Sequence, residues 1–393
     1  MPRGNRTAVD EHLAWRTDAN WRFFEASAAD LARLCHAMAE RFARGGRLIA
    51  AGCTPAARSD VRHVAVEFVH PVIVGKRALP AIGLTGDDGE PAARVRVLAR
   101  PDDMLIAFGA EEDAGEAARA VAAARDRGCL TLAFCEAGAE WELVPPGGDP
   151  DVSQELAETA YHVLWELVHV FLEHRGLLAG RDERPRHDAG ASAFLYPFLD
   201  EREQALGPLL DDVRRSVLAK AADVAELRAR TLTENRATLE AAAAGVRASL
   251  DGGGTLLALG NGGSATDAMD VVADFQDAWA AIDLTADPAI LTAIANDIGV
   301  DAIFSRQVIA YGRPGDALLA LSTSGDSRNV VQALAEARSR GLVTIAIVGY
   351  DGGRIAAEAL ADHVVVARSE HIPRIQEAQA SAYHVLRRLV GEP

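Results

Sequence analysis

Two short segments of this 393-residue chain have the composition to hold an anion. The first is Gly260-Asn261-Gly262-Gly263-Ser264 and the second is Ser322-Thr323-Ser324-Gly325-Asp326-Ser327. Hydroxyl donors, bare backbone N–H groups and the positive end of a following helix together suit a dianionic phosphate. Asn261, Gly262, Gly263, Ser264, Ser322, Thr323, Ser324 and Ser327 are therefore the candidate phosphate ligands. Taken alone, the serine loop reads equally well as a helix N-cap with spare hydroxyls. The first loop also fits the G-x-G-x-x-A dinucleotide fingerprint, with Asp283 about twenty residues further on. A dinucleotide site does not require the second serine loop, however, and no GK[ST] follows to make a Walker A loop.

Each loop follows a short apolar run. TLLALG, ALLALS, VTIAIVG and HVVVAR do not alternate in polarity, as expected of strands buried on both faces of a parallel sheet. Helical patterns separate them, which predicts a doubly wound α/β sheet whose ligands sit beyond the carboxyl ends of the strands. Long amphipathic helical regions are predicted first, over residues 20–44 and again over 208–250.

The chain also repeats itself. The segment from Arg100, RPDDMLIAFGAEEDAGEAARAVAAARDRGCLTLAF, aligns without a gap with the segment from Arg313, RPGDALLALSTSGDSRNVVQALAEARSRGLVTIAI. SQELAETAYHVLWELV from Ser153 pairs with IQEAQASAYHVLRRLV from Ile375, and RLIAAG with TLLALG. Matches in one order predict a tandem duplication: a first domain over 1–175, a linker rich in Gly, Pro and charge over 176–207, and a second domain over 208–393.

The first copy lacks the phosphate loops. It has Cys53-Thr54-Pro55-Ala56 after its first strand and Gly109-Ala110-Glu111-Glu112-Asp113 after the strand of the second loop. Those carboxylates would repel a phosphate.

The net charge of −17 argues against sequence-independent nucleic-acid binding. No run of eighteen apolar residues predicts a membrane span. The polar N-terminus and four cysteines without CxxC spacing fit a cytoplasmic protein.

GNGGSATDAMDVVADF, LTAIANDIGVDAIFSRQV, GDALLALSTSGDSRNVVQAL, GGRIAAEALADHVVV and RIQEAQASAYHVL, in this order, resemble the phosphoheptose isomerase branch of the sugar isomerase (SIS) domain family. The resemblance covers about 208–391. It implies two flavodoxin-like αβα domains in tandem, the first degenerate, and a phosphorylated sugar as ligand. It also implies aldose–ketose isomerisation of the sedoheptulose 7-phosphate type, and homo-oligomers with sites at subunit interfaces. A homodimer of tandem chains would then form a pseudo-tetramer. By the same resemblance Asn296 and Asp297 lie near the sugar.

Isomerisation through an enediol needs a base for the proton beside the carbonyl and a group that shuttles protons between the oxygens. A divalent metal can polarise those oxygens. The family places a His-x-x-x-Glu pair on one helix and a Gln-x7-His pair on the last, and these form its acid/base and zinc site. In the second copy the positions read Asp270, Asp274, Gln376 and His384. Asp274 and His384 are the candidate catalytic pair, and the set is poor in nitrogen ligands for zinc. Pro373 stands where the family often has an acidic residue. In the first copy the positions read His63, Glu67, Gln154 and His162, the family's full set, with Glu67 and His162 as further catalytic candidates. The expected cofactor is zinc or another divalent metal. The expectation is a division of labour, with the phosphate cradle in the second copy and an intact metal set in the first. Two other readings stay open: a phosphosugar-sensing or protein-assembly factor without catalysis, and a metal-handling accessory protein.

Overall fold

A computed structural model describes residues 8–71, 76–87, 89–109, 114–173 and 206–391. The acidic loop Ala110–Asp113, His174 and most of the expected linker lie outside the described residues.

Each copy builds a five-stranded, all-parallel sheet. The first holds β1 (Leu48–Ala51), β2 (Ala81–Leu84), β3 (Met104–Ala107), β4 (Leu130–Ala133) and β5 (Trp141–Glu142), in the order β2-β1-β3-β4-β5. The second holds β6 (Leu256–Leu259), β7 (Ala281–Asp283), β8 (Ala317–Ser322), β9 (Val343–Gly349) and β10 (His363–Ala367), in the order β10-β9-β8-β6-β7. Read from the other edge, the second order is the first with each strand replaced by its sequence counterpart. This is the flavodoxin-like order 2-1-3-4-5. The expected doubly wound fold is observed in both halves.

The helices follow the strands in sequence. In the first half they are α1 (Ala8–Ala43), α2 (Pro55–Val69), α3 (Pro91–Leu98), α4 (Ala114–Asp126) and α5 (Pro150–Glu173). In the second half they are α6 (Leu206–Glu234), α7 (Arg236–Asp251), α8 (Gly263–Gln276), α9 (Pro288–Asp297), α10 (Ser305–Tyr311), α11 (Arg328–Ser339), α12 (Gly353–Ala357) and α13 (Ile372–Val390). The single helix expected over 208–250 is two, broken at Asn235. Its side chain donates to the carbonyls of Thr231 (2.8 Å) and Val366 (3.1 Å) and accepts from the Val366 N–H (3.1 Å). A buried amide that pairs with a strand end in this way competes with helix continuation.

The repeated Arg-Pro-x-Asp motif has the same job in both sheets. Asp103 accepts the N–H groups of Arg47 (2.8 Å) and Arg100 (2.9 Å); Asp316 accepts those of Thr255 (2.8 Å) and Arg313 (2.8 Å). One carboxylate thus closes its own turn and fixes the start of the neighbouring strand. In the first half Arg47 adds a 2.6 Å ion pair. Burial raises the Asp103 carboxyl, but the hydrogen bonds and charge of Arg47 outweigh it, and the net shift is downward.

The second sheet is covered on one face by α7, α8 and α13, whose Leu239, Val246, Phe275, Tyr383 and Leu386 pack on Leu256, Leu319 and Ile345. On the other face Phe304, Val308, Val330 and Leu334 pack on Leu257, Leu318 and Ala346. In the first half, Val95, Val121 and Ala124 pack against Ile49, Leu105 and Ala133.

Two compact units emerge from the contacts, Asp18–Asp223 and Met1–Thr17 with Val224–Pro393. Their divisions fall inside α1 and α6. In the first unit Asn20 donates to the Ala221 carbonyl (3.0 Å). In the second, Val9 lies in the core beside Leu232 and Leu239, and Asp10 is ion-paired with Arg236. No helix among the described residues is long and apolar enough to cross a membrane.

Candidate functional site

The two anion-type loops leave the carboxyl ends of β6 and β8, which are hydrogen-bonded neighbours. The chain moves outward from β6 to β7 in one direction and to β9 in the other, so the loops flank the topological switch point of the sheet. They are tied together. Asn261 Nδ2 donates to Asn329 Oδ1 (3.0 Å), and Asn329 Nδ2 donates back to Asn261 Oδ1 (2.8 Å). Asn329 Oδ1 also accepts the Val330 N–H (2.9 Å).

Both loops run directly into helices, α8 with Gly262 and α11 with Ser327 at the N-cap, and neither has a side-chain cap hydrogen bond. Neither N-cap side chain takes a first-turn N–H, although Asn329 Oδ1 holds that of Val330 and the Gly262 carbonyl that of Ala265; the remaining N–H groups at each helix start suit an anion. Ser322 Oγ accepts the Gly325 N–H (3.1 Å) and lies 3.5 Å from Ser327 Oγ. Ser324 Oγ accepts the Asp326 N–H (3.1 Å). A second strut comes from the start of α12, where Asp326 Oδ1 accepts the Arg354 N–H (2.8 Å) and the Gly325 carbonyl accepts from Ile355 (3.1 Å). The turn before that helix approaches so closely that a Cβ on Gly325 would lie 2.2 Å from the Gly352 carbonyl oxygen. From α13, Gln379 donates to the carbonyls of Ser322 (3.3 Å) and Ile347 (3.0 Å) and holds the ends of β8 and β9.

The first half closes the equivalent helix start instead. Thr54 caps α2 by accepting the Ala57 N–H (3.1 Å), and Pro55 occupies its first turn without an N–H. The helix start left without a side-chain cap in one half is sealed by its own sequence in the other.

Behind the phosphate loops, Asp270, Asp274 and His384 bring one ligand atom each to within 4.8 Å of one another. His384 Nε2 is 3.3 Å from Asp270 Oδ2 and 3.9 Å from Asp274 Oδ2. Tyr383 Oη donates to Asp270 Oδ2 (2.9 Å), and Arg387 Nε donates to the Asp274 carbonyl (2.8 Å). The Asp270 and His384 side chains are buried, whereas that of Asp274 is 22% exposed. Gln376 is buried on the same helix. With one nitrogen and two carboxylates, this set fits an oxygen-preferring divalent ion better than zinc.

In the first half, α2 and α5 bring His63 Nε2 to 3.3 Å from His162 Nε2 and 3.9 Å from Glu67 Oε1. Burial, and then the neighbouring His162, push the His63 imidazole well below its ordinary range, so the ring is neutral, as a metal ligand must be. Gln154 donates to Ser59 Oγ (3.2 Å). The group whose ligand atoms lie within 4.8 Å of one another is His63, Glu158 and His162. The repeat comparison missed Glu158, whose counterpart in the second copy is Ala380. It missed Asn329 and Tyr383 as well.

Asn296 and Asp297 end α9, where Asn296 Nδ2 donates to Asp297 Oδ1 (2.8 Å). Asp297 lines a cavity of about 350 Å³ with Ile290, Ile294, Ile298, Arg306 and Tyr311. No residue of α9 is buried, and Ile298 and Val300 are 57% and 63% exposed.

Residues 221–349 match the family described as SIS domain. Over 215 residues the chain is 41% identical to a phosphoheptose isomerase of Chlorobium phaeobacteroides, covering 52% of this chain and 89% of that protein. It is 38% identical over 185 residues to a phosphoheptose isomerase of Nitratidesulfovibrio vulgaris, covering 45% of this chain and 88% of that one. Among solved structures, the C-terminal domain of glucosamine-fructose-6-phosphate aminotransferase from Francisella tularensis superposes with a TM-score of 0.62, over 99% of this chain and 97% of that one. At 10% identity this likeness speaks for the fold alone, and it extends over both halves.

Proposed function

The chain belongs to the phosphoheptose isomerase branch of the SIS-domain family, and on that premise we propose that it isomerises a phosphorylated ketose of the sedoheptulose 7-phosphate type. The observation that carries this reading is the pair of linked, cap-free helix starts at the switch point of the second sheet. There the phosphate is held by Ser264, Ser322, Thr323, Ser324 and Ser327 and by the backbone around Asn261, Gly262 and Gly263. Asn296 and Asp297 approach the sugar from α9.

Asp274 is the group of the acid/base cluster with access to solvent; it takes the proton beside the carbonyl and returns it to the former carbonyl carbon. His384, held by Asp270, moves the proton between the two oxygens of the enediol. Tyr383 fixes Asp270 in turn. A divalent ion, when held by Asp270, Asp274 and His384 with Gln376 nearby, supplies polarisation of those oxygens. Exposed apolar residues of α9 and the segment after it support a second copy of the chain as the partner, and so the homodimer of tandem chains.

The test is turnover of sedoheptulose 7-phosphate by the full chain, with Asp274→Asn and Ser322→Ala beside it. Removal of the base lowers kcat by about 10²- to 10⁴-fold, and Ser322→Ala raises KM. Tight binding of phosphosugars without turnover in the wild type would instead establish the non-catalytic sensor, a reading favoured by Asp270 at the family's His position. Metal uptake without phosphosugar affinity would establish the metal-handling reading, which the first-half cluster favours.

A further inference from the structure

We infer that the first half carries a closed, structural divalent-metal site in which Glu158 is a ligand and Gln154 is not. Glu158 and His162 stand one turn apart on α5, so their side chains share the face turned to His63 on α2. The two imidazole Nε2 atoms face each other at 3.3 Å. Two nitrogens each 2.0–2.1 Å from a tetrahedral zinc are about 3.3 Å apart, so the rings already span one edge of that tetrahedron. Glu158 supplies the third ligand atom within 4.8 Å. Glu67 lies beside this group, 3.9 Å from His63 Nε2, and is the nearby carboxylate for a fourth position.

All four residues are buried, at 3%, 2%, 4% and 0% exposure for His63, Glu67, Glu158 and His162. Glu67 Oε2 and Glu158 Oε1 are buried without a hydrogen-bond partner among the described residues, and a divalent ion is a fitting counter-charge for carboxylate oxygens at such depth. Two nitrogens with two carboxylates suit zinc, in contrast to the single nitrogen of the second-half cluster. A site with every ligand buried and no open position is of the structural kind, clamping α2 to α5. Gln154, the residue the family pattern puts in the set, is engaged with Ser59 one turn before His63.

The inference does not depend on the isomerase reading, because its readouts are metal content and stability. The full chain is stripped with a chelator, titrated with Co²⁺ and Zn²⁺, and followed by visible absorption, elemental analysis and thermal unfolding. Wild type takes up the ion with the intense d–d band of tetrahedral cobalt, and chelation lowers its Tm. Glu158→Gln keeps the side-chain volume and weakens binding at least about tenfold, the loss that even outer-shell changes produce. Its Tm no longer responds to chelator. Gln154→Ala and Asp274→Asn retain the cobalt band. Loss of the band in Gln154→Ala with retention in Glu158→Gln overturns the assignment, as does a wild type that shows no tetrahedral cobalt. If Glu158→Gln fails to fold, the wild-type spectrum together with the Gln154→Ala spectrum decides.

Discussion

The reciprocal amide pair between Asn261 and Asn329 is the direct link between the two phosphate loops, and its energy should be readable as phosphate affinity. Two side-chain hydrogen bonds are at stake, at 3.0 and 2.8 Å. A neutral hydrogen bond contributes about 0.5–1.5 kcal/mol net. Asn261 is exposed and Asn329 is buried, so the lower half of that range applies to each. The pair therefore couples the loops by about 1–2 kcal/mol. At 1.4 kcal/mol per decade this is roughly a five- to thirty-fold weakening of phosphate binding. The assay is calorimetric titration of inorganic phosphate into wild type, Asn261→Ala, Asn329→Ala and the double variant. Affinity is the better readout, because a chain of two units need not unfold in one step. Asn329→Ala should cost more than Asn261→Ala, since it also frees the Val330 N–H. The double variant should be little worse than Asn329→Ala alone. If the two single effects simply add, to within about 0.5 kcal/mol, the amide pair does not align the loops and the reasoning fails.

Other outcomes follow from the same geometry. Gly325→Ala puts a Cβ 2.2 Å from the Gly352 oxygen at a φ of +68°. The left-handed penalty alone is about 1–2 kcal/mol, and displacing the neighbouring turn should weaken phosphate binding more than tenfold with helix content unchanged. Wild-type affinity in that variant would mean that the turn before α12 does not shape the loop. In the first half, burial holds His169 below its ordinary range, outweighing the carbonyls of Trp165 (2.8 Å) and Arg77 (3.0 Å) at its two ring nitrogens. A depressed imidazole contributes stability that is present above about pH 6.5 and lost as pH falls towards the folded value. Unfolding by denaturant across pH 5 to 8 should show that limb, and His169→Gln should flatten it.

Most of the second sheet could be read from the sequence, because β6, β8, β9 and β10 are largely apolar, non-alternating runs between Gly, Pro and polar loops. β7 could not: Ala281–Asp283 is three residues long and only half-buried, too short for any periodicity to appear. The candidate loops stand out by composition, but the Asn261–Asn329 link joins residues 68 apart and is a property of the fold. Glu158 shows most clearly why the rest was hidden. Between the copies Gln154 matches Gln376, whereas Glu158 stands opposite Ala380. A signal was nonetheless present. α5 is buried nearly all round, and a carboxylate four residues before a histidine in such a helix is costly without a partner. The repeat informs mainly about what two copies share, and this cluster belongs to one alone.

The division of the units inside α1 has a consequence for synthesis. Val9 and Asp10 are made early, yet they pack with Leu232, Leu239 and Arg236 in the unit that otherwise begins at Val224. At about 5–20 residues per second, roughly ten to forty seconds pass before that destination leaves the ribosome. Meanwhile Asp18–Asp223 is complete and can fold. The start of α1 thus waits as an apolar-faced stub on an already folded unit. Its late docking completes the core around Leu232 and Leu239 from a segment made some two hundred residues earlier.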